Sequence, residues 1–299
     1  MKKLKTQVFL SLAGAFLAVG YSSLLATEIP RQSTSNLRKD LLAQLESNLN
    51  VNEYLEKNKP ESYKALKRQL DEAIEDAKRP SEEKVVKNLW SLSKTNPQVK
   101  WRENNGKIEY LMASWKYVKN PTEDWKIGTK KSIETRTWLT AVPQVKEFCQ
   151  NCQGIGIEIP GNIMLSLRLQ QYLGLILNRN SNKTHFVEMW VKAEDLSRPC
   201  IDPETNDSSC DVFDIPISAN YPILQEIYRI SYLDASPSQE YYPWTGLGYT
   251  YDWGNTKKPH EGASEFLIDG TKEKPIEVEV VSVTATKEYC NNQYLTVKD

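Results

Sequence analysis

The sequence is poor in histidine and lacks the short motifs by which many enzymes are identified. It contains only His185 and His260, and it has no HExxH, Walker or G-x-S-x-G pattern. Neither histidine has a metal-site spacing to a cysteine, so zinc is disfavoured. We therefore expect no metal and no cofactor, and no motif specifies a reaction.

An excess of one charge sign is also missing. The chain has 38 Lys plus Arg against 39 Asp plus Glu, and the two signs are interspersed without long blocks. Nucleic-acid binding and attraction to an anionic membrane usually require a basic patch. Neither nucleic acid nor a membrane surface is therefore expected as a partner. Internal repeats are lacking too, which argues against a solenoid.

Long apolar runs are absent except at the N-terminus. Lys2, Lys3 and Lys5 precede an uncharged run from Val8 to Ala26. A basic end followed by an apolar segment is the layout of a secretory signal. We predict a signal peptide at residues 1–26 and an exported protein, periplasmic or extracellular.

The cleavage position of this signal stays open. Ala18-Val19-Gly20 has small residues at both specificity positions and allows a cut before Tyr21, whereas a cut after Ala26 places Leu24 at such a position. An uncleaved anchor is the alternative, because the run approaches the length that spans a bilayer. In that case the membrane would be contacted through this segment alone.

Five cysteines follow the signal and would meet an oxidising compartment. Their odd number leaves at least one outside any intramolecular disulfide. Cys200 and Cys210 flank a polar segment with little apolar material, so we predict that a disulfide staples it. Cys149 and Cys152 have redox-motif spacing, but they fall at the end of a predicted helix. We favour a bridge from one of them to Cys290 over a catalytic redox role.

The distribution of apolar residues predicts an α+β fold. Four-residue periodicity and two prolines indicate helices at about 36–57, 61–78 and 81–93, in a helical N-terminal region over 27–95. An α+β domain over 96–299 should carry a mostly antiparallel or mixed sheet with one or two packed helices. The predicted helices in that domain cover 143–149 and 162–177.

Strand patterns begin after Asn96-Pro97. Asn105-Gly106 is favoured turn chemistry and predicts a hairpin between 99–101 and 107–117. Further predicted strands cover 133–142, 184–191, 263–268 and 276–283.

The strand at 184–191 supplies a first candidate catalytic group. Alternation places His185 on a face that has the pattern of core, and places Glu188 on the other face, between Phe186 and Trp190. A desolvated Glu188 would have a raised pKa and could act as a general acid. An ion pair with Arg198 is the interpretation we favour, since structural ion pairs outnumber catalytic ones.

Two further segments hold candidate binding residues. The proline-rich segment at 198–204 would hold Arg198 and Asp202 in fixed positions, or would be a stapled loop without a ligand. The run at 241–254 is rich in aromatics that could stack on a sugar ring or a peptide, or could form one wall of the core. The candidate contact residues are Trp190, Arg198, Trp244, Tyr249, Tyr251 and Trp253.

Several of these segments resemble those of an uncharacterised family of exported bacterial proteins. The resemblance rests on THFVEMWV at 184–191, RPCIDPE at 198–204, PWTGLGYTYDWG at 243–254 and SEF at 264–266. It spans about 133–290, includes TWLTAVPQVKEFC at 137–149 and leaves out the N-terminal helices. It implies one compact domain that brings these segments together, and it implies no mechanism.

Two functional hypotheses follow. The first is a noncatalytic binding or structural protein of the cell envelope, whose aromatic-lined surface contacts a glycan or a peptide. The alternative is a hydrolase of envelope glycans that uses Glu188 as general acid with Asp252 or Glu265 as its partner. Glycoside chemistry needs two carboxylates about 5 to 10 Å apart.

Overall fold

A computed structural model of the chain describes residues 50–153, 156–178, 182–234 and 240–291, all of which belong to one compact unit. The fold is α+β, as the sequence predicts. The signal peptide predicted at residues 1–26 lies outside the described residues. Among the described residues, no helix combines the length and apolar character needed to cross a bilayer.

The centre of the fold is an antiparallel sheet of seven strands, in the order β3-β7-β5-β2-β4-β6 with β1 also paired to β2. The strands are β1 (Trp101–Asn104), β2 (Lys107–Lys116), β3 (Lys130–Ile133), β4 (Arg136–Ala141), β5 (His185–Lys192), β6 (Phe266–Asp269) and β7 (Ile276–Ala285). The predicted hairpin is confirmed as β1 and β2, and its turn residues Asn105 and Gly106 both have positive φ. The predicted strand at 133–142 is divided between β3 and β4.

Both faces of this sheet are covered. Val187, Met189 and Val191 of β5 pack into one apolar cluster, while Phe186 and Trp190 contact another on the opposite face. The predicted alternation in β5 is therefore confirmed. Because each face packs against other elements, side chains from both faces contribute to the core.

Two helices begin the described chain: α1 (Val51–Asn58) and α2 (Pro60–Ala77). Asn50 caps α1, since its side chain accepts from the Glu53 amide at 2.9 Å while Glu53 accepts from the Asn50 amide. The apolar stripe of α2, including Leu66 and Leu70, packs with Trp253 in a shared cluster. The part of the first predicted helix before residue 50 lies outside the described residues.

The third predicted N-terminal helix, 81–93, is wrong. Only a short 3₁₀ turn forms at Glu82–Lys84. The amides of Leu89 and Leu92 donate instead to the carbonyls of Ser208 (3.0 Å) and Thr205 (2.6 Å). Tertiary hydrogen bonds to the loop between Cys200 and Cys210 thus replace those of a helix.

Five more helices complete the described fold: α3 (Pro121–Asp124), α4 (Gln144–Asn151), α5 (Gly161–Tyr172), α6 (Pro222–Tyr232) and α7 (Thr286–Cys290). The sequence pattern predicts α4 and α5 but not α6. Helix α6 begins at a proline and buries Leu224, Ile227 and Tyr228 against the cluster that contains α2.

Two disulfides link the chain. Cys200 bonds to Cys210, as predicted, with 6.2 Å between their Cα atoms. Cys149 bonds to Cys290, which confirms the favoured pairing, while Cys152 is buried nearby and belongs to neither disulfide. Two disulfides indicate an oxidising, exported environment for the folded chain.

Candidate functional site

A cavity lies where β2 and β4 separate. The two strands pair only at Met112 with Ala141 and at Ala113 with Thr140. Beyond Ala113, β2 remains paired to β5 on its other edge, whereas β4 continues in its pairing with β6. The open edge of β2 from Ser114 to Lys116 therefore borders a space inside the fold.

This cavity has a volume of about 610 Å³ and mainly apolar walls. Such a volume lies within the range of small-molecule sites. Trp115 and Phe186 contribute buried aromatic surface, and Ile227 and Ile230 of α6 form a wall. Trp138 is 38% exposed and Glu226 is also exposed, so the cavity meets solvent on this side.

Glu265 is the most unusual polar group in the cavity. It immediately precedes β6, and its Oε2 is buried without a hydrogen-bond partner within the described structure. Burial raises the pKa of this carboxyl to about 8. At neutral pH Glu265 is therefore mostly protonated and can both donate and accept a hydrogen bond.

Trp244 provides a second unsatisfied polar group on the same cavity. Its ring stacks on Phe213 with 5.8 Å between the centroids, and its carbonyl accepts from the hydroxyl of Tyr232 on α6. Its Nε1 is buried and has no hydrogen-bond partner within the described structure. An indole N–H is a donor only, so it needs an acceptor that the described residues do not supply.

The other predicted aromatic contact residues lie inside the core. Tyr249, Tyr251 and Trp253 are 1%, 7% and 1% exposed. Each polar end is satisfied by the protein: Tyr249 donates to the Lys84 carbonyl, Tyr251 to Asp76, and Trp253 Nε1 to the Leu175 carbonyl, all within 2.9 Å. The structure thus places this strip in the apolar interior.

Arg198 is also buried, at 1% exposure. Its guanidinium donates to the carbonyls of Trp90 (2.9 Å), Glu204 (3.1 Å) and Asp207 (3.0 Å), and it lies 4.7 Å from the ring centroid of Phe266. Burial lowers its pKa to about 10, although the nearby Asp207 opposes that shift. The favoured ion pair with Glu188 is not formed, because Arg198 pairs with Asp207 and holds the disulfide-closed loop.

The carboxylates proposed to act together have different partners in the structure. Glu188 accepts from the Ser282 hydroxyl at 3.0 Å, between β5 and β7. Asp252 is 2% exposed and accepts two hydrogen bonds from Arg168, each at 3.1 Å. Of these three carboxylates, only Glu265 lines the cavity.

Trp190 lies on the same face of β5 as Phe186 but borders a different recess. The guanidinium carbon of Arg102 is 4.7 Å from its ring centroid, and Arg102 also pairs with Glu109 and Glu279. A smaller recess of about 140 Å³ borders Trp190 there. The cavity at β2 and β4 therefore includes Trp244 and Glu265 from the candidate set but not Trp190.

Several cavity residues were not identified from the sequence. Lys116 ends β2, Lys183 precedes β5, and the wall from α6 belongs to the helix that was not predicted. Each sits in a segment without a distinctive motif. The available signal was the lysine at the end of an otherwise apolar strand pattern, Leu111 to Trp115.

Comparison of the chain with protein-family models, curated proteins and solved structures gives no match.

Proposed function

We propose that the chain is an exported, noncatalytic binding protein of the periplasm or extracellular space, and that the cavity between β2 and β4 holds a small organic ligand. One observation carries the proposal: Glu265 and Trp244 line the same apolar cavity, and Glu265 Oε2 and Trp244 Nε1 are buried without hydrogen-bond partners within the described structure. Buried polar groups are nearly always hydrogen-bonded. Two cavity-lining side chains with unsatisfied polar groups therefore favour a bound molecule that supplies their hydrogen-bond partners.

The composition of the cavity agrees with this class of function. Binding sites for small molecules have mostly apolar walls and a few fixed polar groups that orient the ligand. Here Trp115, Phe186 and Ile227 supply apolar surface, while Glu265 and Trp244 supply the polar groups. We therefore assign the aromatic ligand contacts to this cavity and not to the strip at 249–253.

The hydrolase alternative has less support. Glycoside hydrolysis needs a second carboxylate beside the acid, and neither Glu188 nor Asp252 lines the cavity with Glu265. Glu226 does line it, but Glu226 accepts from Arg136 at 3.0 Å. A single protonated carboxyl fits ligand binding better than paired-carboxylate catalysis.

A cavity-filling substitution tests the proposal. Ile230 of α6 lines the cavity, and Leu233 follows the same helix and is 55% exposed. We expect Ile230→Trp to fill part of the space and abolish binding of small aromatic and aliphatic compounds in a ligand-observed NMR screen. Leu233→Trp adds the same side chain outside the cavity and should bind the same compounds as the unmodified protein.

Circular dichroism would establish that both variants fold. If the folded Ile230→Trp protein retains the binding profile, the ligands occupy another surface and the proposal fails. If no compound binds the unmodified protein, a ligand-binding role for this cavity is likewise contradicted.

A further inference from the structure

Two lysines share the cavity with Glu265. Lys116 is the last residue of β2, and Lys183 lies just before β5. The Thr184 amide donates to the Lys116 carbonyl at 2.9 Å, which holds the two segments side by side. Both lysine side chains are partly buried rather than extended into solvent.

Neither lysine forms an ion pair with a carboxylate of the described chain. The Lys116 ammonium is 5.7 Å from the ring centroid of Trp125, a weak contact for a buried cation. Arg136, which also lines the cavity, differs, because it pairs with both Asp269 (2.7 Å) and Glu226 (3.0 Å). The charge of Arg136 is therefore compensated by carboxylates of the protein, whereas the charges of the two lysines are not.

The environment of the two lysines is unfavourable for their charge. Burial, together with the nearby Lys183 and Lys131, lowers the pKa of Lys116 to about 8. Burial also lowers the pKa of Lys183. At neutral pH Lys116 remains mostly charged while Glu265 is mostly neutral. Two lysines that line the cavity therefore lack a compensating carboxylate within the described structure.

We propose that the ligand is a small organic anion whose carboxylate or phosphate binds Lys116 and Lys183. Its apolar body then packs on the walls formed by Trp115 and Trp138, and a hydroxyl or carbonyl group meets Glu265 and Trp244. An anionic group would relieve the repulsion between the lysines and accept charge-assisted hydrogen bonds from both. This inference rests on the proposed binding function and adds the chemical class of the ligand.

The inference can be tested with series of compounds that share one apolar group and carry an anionic, neutral or cationic polar group. Three series are suitable: indole acetate, indole acetamide and tryptamine; benzoate, phenyl phosphate, benzamide and benzylamine; and hexanoate, hexanamide and hexylamine. Affinities would be measured by calorimetry at neutral pH for the unmodified protein. We expect the anion of at least one series to bind about 10- to 100-fold more tightly than its amide, and the amine to bind least. Benzoate against phenyl phosphate then separates the two anion classes.

Matched variants test whether the two lysines cause the preference for anions over amides. The double substitution Lys116→Gln and Lys183→Gln should reduce the ratio of anion affinity to amide affinity to about one. Lys131→Gln is the control, because Lys131 also lies over Trp125, at 4.8 Å from its centroid, but does not line the cavity. This control should keep the full preference.

The outcomes separate the two proposals. If the compounds bind, Ile230→Trp blocks them and anions bind no better than amides, the anion inference is overturned while the binding function stands. The inference is also overturned if the preference survives in the double lysine variant. If no charge form of any series binds, or if binding survives in Ile230→Trp, the proposed function and the inference both fail.

Discussion

At the scale of single residues, Glu265 is the group on which the account depends most. It is one of three candidate carboxylates that a chain of this composition could offer by chance, and the structure gives it an environment that differs from those of the other two. Asp252 pairs with Arg168, and Glu188 accepts a hydrogen bond from the Ser282 hydroxyl between two strands. Glu265 faces an apolar cavity without such a partner. Sequence could suggest the residue type, but only the packing decides which carboxyl lacks a partner.

The raised pKa of Glu265 predicts a pH dependence of stability. Its pKa is 4.5 in the unfolded chain and about 8 in the folded one, so the folded state binds more protons between these values. Stability should therefore be highest at low pH and fall as pH rises from about 4.5 to 8. Glu265→Gln should remove roughly 2 to 4 kcal/mol of this decline, less than the full shift implies, because the Glu265 side chain is only partly buried.

The measurement is the free energy of unfolding in urea between pH 5 and 8. Four other charged groups share the cavity, namely Lys116, Lys183, Arg136 and Glu226, and they are unchanged in the variant. Glu261→Gln, at an exposed carboxylate paired with Lys258, serves as control and should keep the decline. Equal slopes for the unmodified protein and Glu265→Gln would contradict the buried, unpaired state of Glu265.

At the scale of elements, strand alternation and turn chemistry were the most informative sequence signals. The hairpin of β1 and β2 follows from Asn105-Gly106, and the two faces of β5 follow from its alternation. The helix predicted at 81–93 failed because its backbone donors bond to the disulfide-closed loop, a partner more than 100 residues away that periodicity cannot show. No helix is predicted from the sequence at the position of α6 (Pro222–Tyr232).

The aromatic segment at 249–253 illustrates the same limit. Its alternation suits a contact strip and a core wall equally, and only the packing of α2 against it shows which is present. Burial of all three rings removes them from any surface that a ligand could reach without unfolding the chain.

We expect Trp253→Ala to destabilise the protein by about 3 to 5 kcal/mol, because it leaves a large cavity and an unpaired Leu175 carbonyl. Trp101→Ala, at a tryptophan that is 40% exposed, should cost less than about 1 kcal/mol. Urea denaturation of both variants measures the difference. A small loss of unfolding free energy for Trp253→Ala would contradict the burial of this side chain. Trp253 would then again be a candidate contact residue.

At the scale of the whole molecule, the two disulfides connect the fold to an oxidising compartment. The Cys149–Cys290 bond joins α4 to α7 across a sequence separation of 141 residues, whereas Cys200–Cys210 closes a short loop. A cross-link that closes a longer loop removes more entropy from the unfolded chain.

Replacing Cys149 and Cys290 together by alanine should therefore cost about 5 kcal/mol of stability, against about 3 kcal/mol for the pair Cys200 and Cys210. Urea denaturation of both double variants under non-reducing conditions gives the comparison. Non-reducing peptide mapping of the unmodified protein should return the same two pairs. A peptide that joins Cys152 to Cys290 would contradict the pairing.

The cavity itself could not have been derived from the sequence. Its lining comes from β2, β4, the segment after α5, α6 and the loop that contains Trp244, which are far apart along the chain. The fold class followed from local patterns because those patterns extend over many residues. The site depends instead on where two strands stop pairing, and no local signal marks that point.

The indole N–H signals of the protein offer the most direct test of the claim that this cavity is the ligand site. All eight tryptophans lie within the described residues, and single Trp→Phe variants would assign their signals in a ¹⁵N-edited NMR spectrum. On titration with an organic anion, we expect the Trp244 signal to shift most, because its unpaired Nε1 gains an acceptor, while Trp101 and Trp190 stay unchanged. Shifts at Trp190 or Trp101 with an unmoved Trp244 would place binding on another surface and contradict the account.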